Sequence, residues 1–287
     1  MAKSKLYRKK EEQLAVLFMR AACAVIILTM ALIIFTVFRK GFHALNWEIL
    51  TTVPKGGFYF GGEGGILNAI IGSFYLAIGS TLIALCLSLP SALFMNIHLR
   101  KYRKITNIIR LVVDVLWGIP SVVYGAFAFS VMIYFGMRAS LLAGIITVAL
   151  FITPIMLRAM DEALQTVPTV LYESTLALGS TKFETAYKVF AKQCIPGIAT
   201  AILLSFGRAI GDAAAVLFTA GFTDNIPTSL NQPAATLPLS IFFQLSSPIP
   251  EVQERAYAAA VALTLMILLI SVSGRLISNK YARNDFK

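Results

Sequence analysis

Apolar residues in this chain come in long unbroken runs rather than in the alternation of a half-buried strand or the narrow stripe of a surface helix. Six runs stand out: Leu14–Phe38, Ile66–Leu89, Leu111–Phe135, Leu141–Leu157, Gly197–Gly221 and Ala256–Ile277. Most approach or exceed the roughly 20 residues with which a helix, rising 1.5 Å per residue, crosses about 30 Å of hydrocarbon. The pattern predicts an all-α polytopic membrane protein with six spans. The first run is too long for the core of a cleaved leader and no small-residue cleavage pattern follows it, so it is read as a retained helix.

The polar positions between the runs then set the orientation. Lys3, Lys5, Arg8, Lys9 and Lys10 precede the first span, and Arg100, Lys101, Arg103, Lys104 and Arg110 cluster between the second and third. Arg158, Lys182, Lys188 and Lys192 follow the fourth, and Arg275, Lys280, Arg283 and Lys287 close the chain. The opposite connections hold only Arg39, Lys40, Lys55, Arg138 and Arg255. Positive residues are retained on the cytoplasmic side, so both termini and both basic connections are expected there. This divides the chain into a cytoplasmic segment 1–13, a transmembrane domain 14–280 with its core at 66–280, and a cytoplasmic tail 281–287.

Composition agrees: 57% of the 287 residues are apolar and 14% charged, with a mean hydropathy of +0.77. A net charge of +11 would suggest nucleic acid in a soluble protein, but here it is accounted for by topology. Cys23, Cys86 and Cys194 are far apart, lack metal spacing and fall in or beside apolar runs, where cysteine acts as a small hydrophobe. His43 and His98 sit in polar connections as solvated residues. The glycine-rich outer connection, Lys55-Gly-Gly-Phe-Tyr-Phe-Gly-Gly-Glu-Gly-Gly65, reads as a loop. It lacks the Lys-Ser/Thr ending of a phosphate-cradling P-loop, and no such signature occurs elsewhere. If ATP drives this protein, another subunit hydrolyses it.

The connection 166–196 is long for so compact a chain, and its residues spell out ordered structure. Pro168 suits a helix start, Thr169–Leu178 can form a short helix, and Gly179 is placed to end it. Thr181-Lys-Phe-Glu184 has the spacing of a capping box, in which hydroxyl and carboxylate satisfy each other's free backbone donors. The expectation is a helix, a sharp turn and a second helix leading back to the membrane. Taken alone, such a hairpin could be a well-capped surface feature.

Glu173-Ser-Thr-Leu-Ala-Leu-Gly179, continued to Ile195-Pro196-Gly197, resembles the cytoplasmic "EAA" loop of ABC importer permeases. It keeps the spacing of glutamate and glycine, with Ser174 and Thr175 in place of two alanines and Lys192 where proline is common. The resemblance implies a type I ABC importer permease fold (MetI-like). It also implies a coupling helix in which Glu173, Ala177, Leu178, Gly179 and Thr181 dock on an ATPase subunit.

An ionisable residue at mid-membrane costs at least about 2.5–3.5 kcal/mol on insertion scales, and Arg208 and Asp212 both fall inside the fifth run. Four residues apart on a helix, they would share a face and could neutralise each other. Gly207 and Gly211 beside them would let a helix or a substrate approach the backbone. A guanidinium is a planar fork of donors suited to an oxyanion. Two readings stand: a structural ion pair that fixes helix packing, or an Arg208 held by Asp212 in the path of an anion. Arg110 and Asp114, also four apart, read as an interfacial pair, and Trp117-Gly-Ile-Pro-Ser121 as a kink or a break facing a cavity.

Arg208-Ala-Ile-Gly-Asp-Ala-Ala214 is similar to the Arg-Ala-Ile-Gly-Glu-Ala-Ala of PstA-type phosphate permeases, with Asp212 for glutamate and Ala215 where proline is frequent. Leu111–Gly125 and Gly64–Ser73 resemble the same family, so the resemblance covers roughly residues 60–280. It implies a phosphate importer in a prokaryotic cell membrane. This chain would pair with a second, PstC-like permease, two PstB-like ATPase subunits that bind ATP and magnesium, and an extracellular PstS-like phosphate-binding protein. No cofactor is expected in this chain. Rival readings are an ABC permease for sulfate or molybdate, or an ATPase-independent anion transporter or channel. An enzyme is disfavoured because no carboxylate pair, nucleophile with base, or metal set is seen.

Overall fold

The computed structural model describes residues 2–55 and 63–284. The centre of the glycine-rich loop and the last three residues lie outside them. The elements in chain order are α1 (Ala2–Gly41), α2 (Trp47–Thr51), a two-residue hairpin β1 (Pro54–Lys55) and β2 (Glu63–Gly64), and α3 (Leu67–Ile97). A 3-10 turn (Leu99–Lys101) leads to α4 (Arg103–Gly118), α5 (Ser121–Tyr134) and α6 (Leu141–Gln165). The cytoplasmic hairpin is α7 (Thr169–Ala177), α8 (Lys182–Glu184), a π turn (Thr185–Phe190) and α9 (Ala191–Gln193). It is followed by α10 (Ile195–Gly211), α11 (Leu237–Leu245) and α12 (Pro250–Asn284).

Four helices are long and apolar enough to cross a membrane, and two bent pairs bring the number to six when each pair crosses once. The all-α, six-span expectation therefore holds, but three spans differ from what the hydropathy suggested. The third is broken between α4 and α5, which meet at 91°. Pro120 lacks an N–H and disfavours helical geometry in Ile119, whose ψ of 129° is extended. The fifth does not reach Gly221: α10 ends at Gly211, and Asp212 is extended with φ −86° and ψ 122°. Conversely, the fourth span, expected to end at Leu157, continues as a helix for two further turns to Gln165.

The core lies where α3 packs along α6. Leu76, Ala77, Ala84 and Leu93 of α3 meet Val148, Ile152, Met156 and Met160 of α6, all essentially buried. Irregular backbone at membrane depth is tolerated only where protein satisfies it, and residues 212–236 meet that requirement. Ser140 N–H donates to Thr219 O, Leu141 N–H to Gln232 O and Leu142 N–H to Leu230 O, at 2.8–2.9 Å. Asn68 of α3 donates to Thr223 O (2.7 Å), and Leu237 N–H donates to Ser73 Oγ (2.8 Å). Gly72 permits this docking, because a Cβ there would collide with the Ala235 carbonyl. By contrast, the apolar stretch of α1 is exposed and leans on α12 near Gly41 and Tyr257.

Candidate functional site

The two breaks meet. Gly211 ends α10 and Ser121 begins α5, and Ser121 Oγ donates to Asp212 Oδ1 across 3.2 Å. The same oxygen accepts from the backbone N–H groups of Ala214 (3.0 Å) and Ala215 (3.5 Å). Short carboxylate side chains compete with helix in this way by bonding backbone donors two and three residues on. Asp212 is buried at 8% exposure, and its other oxygen, Oδ2, has no hydrogen-bond partner among the described residues. Gly125, one turn into α5, lets this packing close: a Cβ there would lie 2.8 Å from Ala215 O and 2.9 Å from Ala214 O.

The expected pairing of Arg208 with Asp212 is corrected by this geometry. Because the helix stops between them, they do not share a helical face, and no ion pair among the described residues involves Arg208. Its guanidinium lies 5.1 Å from the centroid of the Phe151 ring and lines a cavity of about 260 Å³ with Trp117, Ile119, Phe151, Ile155 and Leu204. Arg208 is exposed in this single chain. Gly207 faces open space, and a Cβ on Gly211 would meet only Ile267, at 3.8 Å. Two motifs that are far apart in sequence, Trp117–Ser121 and Gly207–Asp212, thus form one site.

A second polar cluster follows on α6 towards the cytoplasm. Asp161, at 1% exposure, accepts from Arg110 Nε (2.8 Å) and Nη2 (3.0 Å), Asn96 Nδ2 (2.7 Å) and Gln165 Nε2 (2.8 Å). It ties together α3, α4 and α6. Asp114 does not pair with Arg110, as its spacing suggested, but with Arg158 at 3.3 Å, which also holds Glu162 at 3.1 Å. Asp161 lies outside every motif that stands out along the sequence.

The hairpin of residues 166–196 forms as its residues suggest. Gly179, φ +84°, ends α7, its N–H donating to Leu176 O and that of Ser180 to Thr175 O. Thr181 Oγ1 accepts from Glu184 N–H (3.2 Å), and the Glu184 carboxylate accepts from Thr181 N–H (3.1 Å), completing the capping box. Hydrogen bonds from Lys188, then from Thr181, hold the Glu184 carboxyl well below its ordinary value, at about 2. The Tyr172 ring packs edge-on to buried Phe190, and Thr185 Oγ1 reaches Thr175 Oγ1 at 3.4 Å. Glu173, Ala177, Leu178, Gly179 and Thr181 remain exposed, Leu178 at 87%.

Residues 88–283 match the family described as binding-protein-dependent transport system inner membrane component. The chain is 30% identical to the phosphate transport system permease protein PstA of Yersinia pestis over 97% of this chain and 93% of that one. It is 32% identical to PstA of Pasteurella multocida over 85% and 86%. This chain belongs to the family of binding-protein-dependent inner membrane components, with the PstA permeases. As a member of that family it is a multi-pass inner membrane protein.

Solved structures show the same fold. An inward-facing form of the MetNI methionine ABC transporter aligns with a TM-score of 0.63 at 18% identity, over 75% of this chain and 95% of that one. A bacterial alginate ABC transporter aligns at 0.55 and 16% identity, over 91% and 95%. The inner membrane component described here thus shares the MetI-like permease fold.

Proposed function

We propose that this chain is the permease subunit of an ATP-driven importer and forms the transmembrane path for inorganic phosphate. In the assembled importer a second, PstC-like permease completes the path and two PstB-like ATPases bind ATP and magnesium. An extracellular PstS-like protein delivers phosphate. The observation that carries the substrate reading is Arg208: a permanent cation on a spanning helix, exposed and without a carboxylate partner among the described residues. Names shared by relatives over most of the chain support phosphate over other oxyanions.

Nucleotide-driven closure of the ATPases would pull on the turn around Leu178–Gly179. The motion would pass through the α8–α9 arm into α10, which bends from that arm by 75° and carries Arg208 near its far end. Rocking α10 against α5 would open and close the site where the two breaks meet. Gly207 and Gly211 would leave the backbone accessible to the passing anion, and Asp212 would hold the break's shape.

The test is reconstitution of the chain with its partner subunits in liposomes, measuring labelled phosphate uptake with and without ATP. Uptake should require ATP and the ATPase, and sulfate and molybdate should compete poorly. Arg208→Gln should abolish uptake while the complex still assembles. Normal uptake by that variant would remove Arg208 from the mechanism.

A further inference from the structure

Away from Arg208, the cytoplasmic ends of α3 and α6 and the first residues of α4 and α7 enclose a cavity of about 410 Å³. Its wall carries Asn96, Arg100, Arg103, Asn107, Arg110 and Thr169, and no carboxylate lines it. The nearby acid, Asp161, is 1% exposed, engaged by Arg110, Asn96 and Gln165 and 3.9 Å from Arg158, so the arginines it offsets are Arg110 and Arg158. Arg100 is positioned by its guanidinium lying 4.7 Å from the centroid of the Tyr172 ring. Neither Arg100 nor Arg103 forms an ion pair among the described residues. Thr169 adds a hydroxyl and the first N–H of the nine-residue helix α7, at the positive end of its dipole.

We propose that this pocket binds a phosphate group from the cytoplasmic side, supplied either by inorganic phosphate or by the headgroup of an anionic phospholipid. Guanidinium forks beside amide and hydroxyl donors, with no competing carboxylate, favour a dianionic or monoanionic phosphate over any neutral or cationic ligand. The volume falls within the range of small-molecule sites. Because Thr169 opens the docking hairpin and Arg103 opens α4, a bound phosphate group links the hairpin to the bundle. Its occupancy would therefore bear on how motion at Gly179 reaches the spans. Arg208 is not part of this wall, so the inference is independent of the pathway reading.

The full-length chain in nanodiscs of phosphatidylcholine, followed by thermal unfolding, tests the pocket. Inorganic phosphate is titrated against potassium chloride of matched ionic strength, and in a parallel arm phosphatidylglycerol replaces part of the lipid. Stabilisation by phosphate, by phosphatidylglycerol, or by both is expected, and the arm that responds identifies the source. In R100Q/R103Q the concentration needed for half of the effect should rise by at least about tenfold. R100K/R103K, which keeps the charge, should recover part of it, and R208Q should respond as wild type. No response in either arm overturns the proposal, as does an undiminished response in R100Q/R103Q. A response lost in R208Q but kept in R100Q/R103Q would assign the anion to the pathway instead.

Discussion

Replacing Gly179 separates folding from docking, because the chain itself gives the position nothing to collide with. Gly179 has φ +84°, where an L side chain costs roughly 1–2 kcal/mol, yet a Cβ there would find no atom within 4 Å. Gly179→Ala should therefore cost about 1 kcal/mol at one exposed turn, a small share of the roughly 5–15 kcal/mol that holds a domain together. Gly179→Trp adds bulk beyond a Cβ that itself meets nothing within 4 Å among the described residues. Neighbouring Leu178, 87% exposed, has little to lose in the isolated subunit. Buried in an ATPase cleft, it would contribute about 1.5–3 kcal/mol, or roughly 10- to 100-fold in docking affinity. In proteoliposomes holding the whole importer, Gly179→Trp should lower phosphate uptake per ATP hydrolysed by at least about tenfold, and Leu178→Ser should weaken ATPase association. Detergent melting of the free subunit should shift little for either. Wild-type uptake by Gly179→Trp would refute the docking role, and a loss that merely tracked disappearance of the subunit from the membrane would refute the separation argued here.

Asp161→Asn leaves Arg110 without its bidentate partner. Since the Arg110 side chain is 24% exposed, the cost should sit near the lower end of that for breaking a buried pair, about 3 kcal/mol, read as a lowered unfolding midpoint in mixed micelles. A change below about 0.5 kcal/mol, the scale of an ordinary surface substitution, would sink this assignment. The capping box should weaken in acid. Glu184 is depressed from 4.5 to about 2 in the folded chain, so its contribution is complete above about 4.5 and fades as pH falls towards 2. Amide-exchange protection of Glu184 and Thr185, corrected for intrinsic rates, should follow that window, and Glu184→Gln should flatten it.

Local signals were legible wherever one turn decides the structure. Gly179, Thr181 and Glu184 carry their geometry in their identities, and the spans announced themselves by length. What could not be read was where a run of apolar residues stops being helical. Leu111–Phe135 and residues 197–221 are mostly apolar over a full span's length, yet each contains a break: Pro120 forces one, and Asp212 makes the other by bonding backbone donors. The opposite error hid Asp161. A charge at Arg158 reads as the end of the hydrocarbon, although Arg158, Asp161, Glu162 and Gln165 keep helical spacing and α6 simply continues. That periodicity was a usable signal, but nothing local points to Asn96 and Arg110, which lie 65 and 51 residues away. Thr236 Oγ1 accepts from Leu239 N–H at 3.4 Å at the start of α11, an element absent from the six-run expectation.

The broken pairing of Arg208 and Asp212 strengthens the case for an anion path. A structural ion pair would have neutralised both groups within the chain and given the guanidinium no reason to meet a solute. Instead the nearest acid in sequence is consumed by Ser121, Ala214 and Ala215, so its charge serves the junction of α5 with α10. Arg208 is left with the face of Phe151, a contact worth about 0.5–2 kcal/mol, less than the roughly 2.5–3.5 kcal/mol a central arginine costs in a membrane. Among the described residues nothing else meets the shortfall, which leaves it to water in the path, a partner subunit or the cargo. Only an anionic cargo meets it intermittently, and an importer needs that, since a permanent counterion would block the site it stabilises. Moving the carboxylate back should therefore be harmful. Leu204→Asp, placing an acid at a 56%-exposed position of the cavity that Arg208 lines and one turn before it on α10, should leave the fold intact while suppressing phosphate uptake. Uptake that survived an acid in that cavity would mean that Arg208 stabilises packing and the anion passes elsewhere.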